Sequence, residues 1–266
     1  GDNVTTGYYG APDATGEAVV RPKPDATGDT VGGGSPSNGS RQVLAPWSRT
    51  QRFFRTGLGT VLRVATDLRV NGLEWVPAHG PAILAVNHLS SMDVPLAFAV
   101  LPRPVIMLAK QELRGSRVLD WLLADIGRAI YVNRGDGGRE ALERAIAVLA
   151  GGGVVALGPE GRRSTAGLTE GHTGVAYLAA QAGVPVVPMA AWGQEQLAPS
   201  WRRLQRAPIN VRFGPPLVFT GASSSALELR GFTDAVMRAI AAELPPQYRG
   251  VYGASEFASA VGREVR

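Results

Sequence analysis

Short aliphatic runs alternate with amphipathic helical patterns along most of this chain, and that alternation constrains the fold more than any other feature. Leu68–Trp75, Pro81–Val86, Pro104–Leu108, Ala129–Val132, Gly153–Leu157, Val184–Ala190 and Ile209–Phe213 read as strands. Pro95–Val100, Arg117–Asp125, Gly138–Leu149, Thr173–Ala182 and Phe232–Leu244 read as helices. Leu142, Ile146 and Leu149 line one face of the third, and Gly183 closes the fourth. Strands separated by helices argue for an α/β fold. The expectation is one layered domain, residues 67–252, with a largely parallel mixed sheet flanked by helices. The two prolines of Val184–Ala190 suggest an edge or irregular position for that strand.

The flanks differ in character. Residues 1–45 are rich in Gly, Pro, Ser, Thr and Asp and hold almost no large aliphatic residue. Such a segment cannot bury enough apolar surface to offset its ordering entropy, and it reads as a disordered tail. Gly32-Gly33-Gly34-Ser35-Pro36-Ser37 is a linker and not a phosphate loop, because no strand precedes it and no Lys-Ser/Thr follows. Residues 46–66 read as a basic amphipathic helix. Trp47, Phe53, Phe54, Leu58, Val61, Leu62 and Val64 supply an apolar face, four arginines supply charge, and no acidic residue appears before Asp67. A helix of this kind associates with a membrane surface, and the alternative is a helix packed on its own domain. Residues 253–266 read as a flexible C-terminal tail.

Composition excludes some chemistry. There is no cysteine, so thiolate catalysis, disulfides and cysteine metal sites are ruled out. No apolar run approaches the ~20 residues of a transmembrane helix. A formal net charge of +5 suits an anionic membrane surface or a phosphorylated substrate. Nucleic acid is a weaker partner, because the aromatics are few and not interleaved with a basic run.

Four segments fall in the loops after strands, where α/β folds place their sites. The first is Asn87 to Asp93, in which His88 leads Asp93 by five positions. Imidazole is well suited to proton transfer near neutral pH, and a nearby carboxylate fixes its tautomer. On a regular helix an offset of five separates side chains by about 140°, so a bend is needed to join the pair. Ser90 with Asp93 also reads as a helix cap. The second segment, Gly127 to Arg134, puts an arginine at a strand end, where it suits phosphate. The third, Gly158-Pro159-Glu160-Gly161-Arg162-Arg163-Ser164, is a turn with two arginines that can cradle an anion. The fourth, Val184-Pro185-Val186-Val187-Pro188, reads as a core strand that shapes the site.

In this order the four segments resemble the signature blocks of the glycerolipid acyltransferases of the lysophosphatidic acid acyltransferase family: N-H-x4-D, G-x-I-F-I-D-R, F-P-E-G-T-R-S and V-P-V-x-P. Ala109-Lys110-Gln111-Glu112-Leu113 resembles the family's A-K-x-E-L segment, and the resemblance runs from Val70 to Pro215. It implies a glycerol-3-phosphate acyltransferase-like fold and direct acyl transfer from acyl-CoA or acyl-carrier protein, with no cofactor and no metal. His88 is implied as general base and Asp93 as its orienter. Lys110, Arg134, Glu160, Gly161 and Arg163 are implied as the residues that bind the acceptor. The expected product is phosphatidic acid, made from lysophosphatidic acid by a peripheral protein on the cytoplasmic face of the plasma membrane. The same chemistry on glycerol 3-phosphate, another lysophospholipid or a glycolipid is an alternative, as is a non-catalytic module that binds anionic lipid. The sequence departs from the family pattern at Tyr131, Asn133, Gly158, Arg162 and His172, all on the acceptor side.

Overall fold

A computed structural model describes residues 46–90, 92–110, 130–132, 139–164, 166–221 and 225–253. The expected tail at 1–45, all but Gly253 of the expected tail at 253–266, the Arg117–Asp125 helix and Arg134 lie outside the described residues.

Among the described residues, seven strands form one sheet: β1 (Arg69–Asn71), β2 (Ala82–Val86), β3 (Ile106–Lys110), β4 (Ile130–Val132), β5 (Val154–Leu157), β6 (Val186–Trp192) and β7 (Asn210–Phe213). Their order is β1-β7-β6-β2-β5-β3-β4, and every neighbouring pair is parallel except β6 with β7. The expected α/β architecture with a mixed, largely parallel sheet is what forms.

Alternation along β2 divides the core. Ile83 and Ala85 face one apolar cluster, shared with α3 (Arg139–Ala150), α4 (Gly174–Ala182) and α6 (Ala226–Glu243). Ala82 and Leu84 face the other, which includes Leu62 of α1 (Arg49–Ala65) and Leu96, Ala97 and Ala99 of α2 (Asp93–Val100). Ile83 and Leu84 are fully buried, and each such side chain contributes roughly 1.5–3 kcal/mol. With both faces covered, β2 is apolar throughout, as a central parallel strand requires.

α1 begins with a reciprocal cap. Ser48 Oγ accepts from Gln51 N, and Gln51 Oε1 accepts from Ser48 N. The helix is packed on its own domain along one side only. Gly59 and Leu62 pack inward, whereas Phe53, Val61 and Val64 remain 76%, 56% and 72% exposed.

Three expectations need correction. The Leu68–Trp75 strand ends at Asn71, because Gly72 turns the chain at φ 75°, with Phe213 O only 2.1 Å from where a Cβ would sit. A 3-10 turn, Leu73–Trp75, follows. The last helix starts at Ala226, six residues before Phe232, because Ser225 caps it by accepting from Glu228 N. Finally, β6 is an interior strand and not an edge. Pro185 precedes it, and Pro188 lies opposite Gly214, whose N–H donates to the Pro188 carbonyl. The missing proline N–H therefore falls just past the last residue of β7, where it interrupts no continuing ladder.

Candidate active site

The site sits where β2 and β6 end, and a side chain ties these two ends together. Asn87 Nδ2 donates to Ala191 O at 2.9 Å, and Ala191 N donates to Asn87 Oδ1 at 2.7 Å. The buried amide thus mimics one more rung of the sheet and fixes where His88 leaves it.

The chain then bends before α2 and brings the two sequence-predicted catalytic residues together. His88 Nδ1 lies 2.7 Å from Asp93 Oδ2. The bend is held locally: Ser90 N donates to the same carboxylate oxygen at 3.0 Å, and Met92 N donates to Ser90 Oγ. The contact with His88 and the helix start therefore share one carboxylate. The Asp93 side chain is 7% exposed and that of His88 is 33% exposed. With Nδ1 committed to Asp93, the imidazole keeps Nε2 for an incoming proton donor.

The third segment is locked to this histidine. Ser164 N donates to His88 O at 2.9 Å, and His88 N donates to Glu160 Oε1 at 3.1 Å. Thr169 contributes its N–H and its hydroxyl to Glu160 Oε2, at 2.9 and 3.1 Å. Glu160 is 1% exposed. Both oxygens of Glu160, which the resemblance implies as an acceptor-binding residue, accept from protein donors. It holds the turn against His88.

The rest of that turn is open. Gly161 takes φ 63°, and a Cβ there would lie 2.8 Å from His172 Cδ2. Gly161, Arg162 and Arg163 are exposed, and neither arginine has a carboxylate partner among the described residues. Lys110 closes β3 at this same end of the sheet. The turn is thus a cationic surface next to His88, suited to an anionic group.

The sequence reading missed Gln194. Its Nε2 donates to Asp93 Oδ1 at 2.7 Å, from a position that is 2% exposed. Asp93 is therefore gripped on both oxygens. Gln194 follows Gly193, whose φ of 91° and approach to Pro208 O allow no side chain. A Trp-Gly-Gln run directly after a strand was the available signal. Glu195 supports this turn, accepting from Gly193 N and from the Tyr248 hydroxyl at 2.6 Å. Burial, and then the Glu195 carboxylate, push the Tyr248 hydroxyl up to about 12.

Residues 67–192 match the family model described as Acyltransferase. Over 180 residues the chain is 31% identical to a 1-acyl-sn-glycerol-3-phosphate acyltransferase of Chlamydomonas reinhardtii, covering 65% of this chain and 52% of that protein. It is 32% identical over 161 residues to the human 1-acyl-sn-glycerol-3-phosphate acyltransferase alpha, covering 58% and 56% respectively. The crystal structure of the 1-acyl-sn-glycerophosphate (LPA) acyltransferase PlsC from Thermotoga maritima shares the fold, with a TM-score of 0.54 and 24% identity over 74% of this chain and 83% of that one. The chain spans just over half the length of these curated relatives.

Proposed function

We propose, from the match of residues 67–192 to the Acyltransferase family model, that this chain moves a fatty acyl group from an acyl thioester to the free hydroxyl of 1-acylglycerol 3-phosphate, giving phosphatidic acid. The observation that carries the reading is the 2.7 Å contact of His88 Nδ1 with Asp93, beside an exposed turn bearing Arg162 and Arg163. The relatives' names support the acceptor.

The chemistry follows from the geometry. Asp93 holds the imidazole with Nδ1 protonated, so Nε2 takes the proton of the acceptor hydroxyl. The hydroxyl oxygen bonds to the thioester carbonyl carbon and the carbon–sulfur bond breaks. The leaving thiolate then recovers the proton from the imidazolium. No acyl-enzyme forms. The donor is acyl-CoA or acyl-carrier protein. Arg163, with Lys110 and Arg134, binds the acceptor phosphate. Next to Asp93, an apolar groove of about 120 Å³ lined by Trp47, Leu58, Val94, Phe98 and Met107 seats part of an acyl chain.

The chain works at the cytoplasmic face of the plasma membrane as a peripheral protein. Support comes from Phe53, Val61 and Val64, exposed on a helix with no acidic residue. Among the described residues no helix is long and apolar enough to cross a membrane.

A panel of acceptors with acyl-CoA, followed by CoA release, tests the reading. Lysophosphatidic acid should turn over fastest. Faster turnover of a more highly charged lysolipid would favour the alternative acceptor to which the extra cation at Arg162 points. Vesicle binding with no CoA release on any acceptor would overturn the enzyme in favour of a lipid-binding module.

A further inference from the structure

The segment Trp201 to Arg206 plays no part in the site just described, yet it is built onto the end of α1. Trp201, on α5 (Leu197–Arg202), donates its indole N–H to Ala65 O at 3.1 Å. Arg206 Nε donates to Thr66 O at 3.0 Å, and its terminal nitrogen bonds to Arg63 O and Thr66 O. Thr66 also bridges Ala207. The turn and the helix end are therefore one surface.

What this surface presents is unusual. Leu204 is the only non-glycine residue with positive φ among the described residues, at 55°, and it is 97% exposed. Leucine disfavours that backbone, and nothing buried compensates. Trp201 is 49% exposed, and the neighbouring helix adds Val61 and Val64. Arg202 and Arg203 are exposed, with no carboxylate partner among the described residues. No acidic residue occurs between positions 196 and 209 or between 46 and 66.

Its location relative to the chemistry follows from the register. β2 and β6 run parallel, β6 continuing to Trp192 beyond Met189, the partner of Val86 at the end of β2, and Trp192 pairs with Asn210 at the start of β7. Asn210 in turn pairs with Arg69 at the start of β1. Thr66 and Ala207, just before these two strand starts, thus lie at the end of the sheet where His88 and Gln194 emerge.

We infer that the Trp201–Arg206 turn and the C-terminal end of α1 form a single docking edge for an anionic lipid bilayer, setting the His88 end of the sheet toward the lipid. This rests on the reading that the acceptor is a lipid. An indole, a protruding leucine and flanking guanidiniums, with no acid among them, match the head-group zone of such a bilayer.

Co-sedimentation with phosphatidylcholine vesicles, with and without phosphatidylglycerol, tests it on the full chain. Arg202→Ala with Arg203→Ala should lower partition onto the anionic vesicles by about five-fold per arginine and leave partition onto neutral vesicles nearly unchanged. Leu204→Asn should lower partition several-fold while keeping or raising the melting temperature, since asparagine tolerates this backbone. Wild-type partition by the triple variant would overturn the inference. All variants should still acylate lysophosphatidic acid dispersed in detergent. If the wild type fails in detergent while the variants lose vesicle binding, the proposed reaction falls and the docking edge stands.

Discussion

Gln194 Nε2 lies 2.7 Å from Asp93 Oδ1, across 101 residues of sequence, and completes the set of donors that fixes the carboxylate on which His88 depends. The opposite oxygen is shared by His88 Nδ1 and Ser90 N. Asp93 therefore cannot rotate without breaking a contact on one side or the other, and the imidazole inherits that rigidity.

Gln194→Met keeps the length of the side chain and removes the donor. The expected result is a fall in kcat of about ten- to hundred-fold, matching one hydrogen bond to a charged group. KM for the acceptor should change far less, because Gln194 is buried and acts through Asp93. Steady-state kinetics on the variant checks this, and an equal rise in KM would argue for general disorder of the site.

Glu160→Ala should act on folding before chemistry. It strands the His88 and Thr169 backbone N–H groups and the Thr169 hydroxyl in a partly buried position. A loss of about 3 kcal/mol or more is expected. Denaturant unfolding measures it, with an unchanged midpoint counting against an anchoring role.

Much of this was legible before any coordinates. The strands could be placed because their apolar runs are short, bounded by Gly and Pro, and separated by helical periods. His88 and Asp93 could be paired because both belong to one loop after one strand. Gln194 could not be paired with Asp93 by spacing, because their contact is made by the crossover of β6 beside β2. Glu160 could be placed on the turn, but its neighbours Gly161, Arg162 and Arg163 are exposed, and sequence does not reveal that this one side chain folds inward. Pro188 misled for a related reason. A proline removes one N–H, and only the register with Gly214 shows that no strand residue needed it.

Arg163 faces solvent on the turn anchored by Glu160. Arg163→Ala should raise KM for lysophosphatidic acid about ten-fold, with kcat within a factor of about two, as expected for loss of a contact made equally in the ground and transition states. With a neutral monoacylglycerol acceptor the same variant should behave as wild type. Parallel kinetics on the two acceptors decides whether the turn reads the phosphate.

Tyr248 gives a prediction at alkaline pH. Its folded pKa is raised to about 12, first by burial and then by Glu195. In the unfolded chain the phenol ionises near pH 10, so between about pH 10 and 12 the folded state holds more protons than the unfolded state. Stability from this group is full below pH 10 and is lost as pH rises toward 12. Tyr248→Phe should flatten that part of the stability curve, as followed by thermal melting across the range.

The central claim is that His88 is the base for direct acyl transfer, and CoA release from acyl-CoA in the presence of lysophosphatidic acid by His88→Ala tests it most directly. The account predicts a fall of about 10²- to 10⁴-fold with the melting temperature retained, the contribution of a positioned general base. A rate within about two-fold of wild type in the folded variant would contradict it.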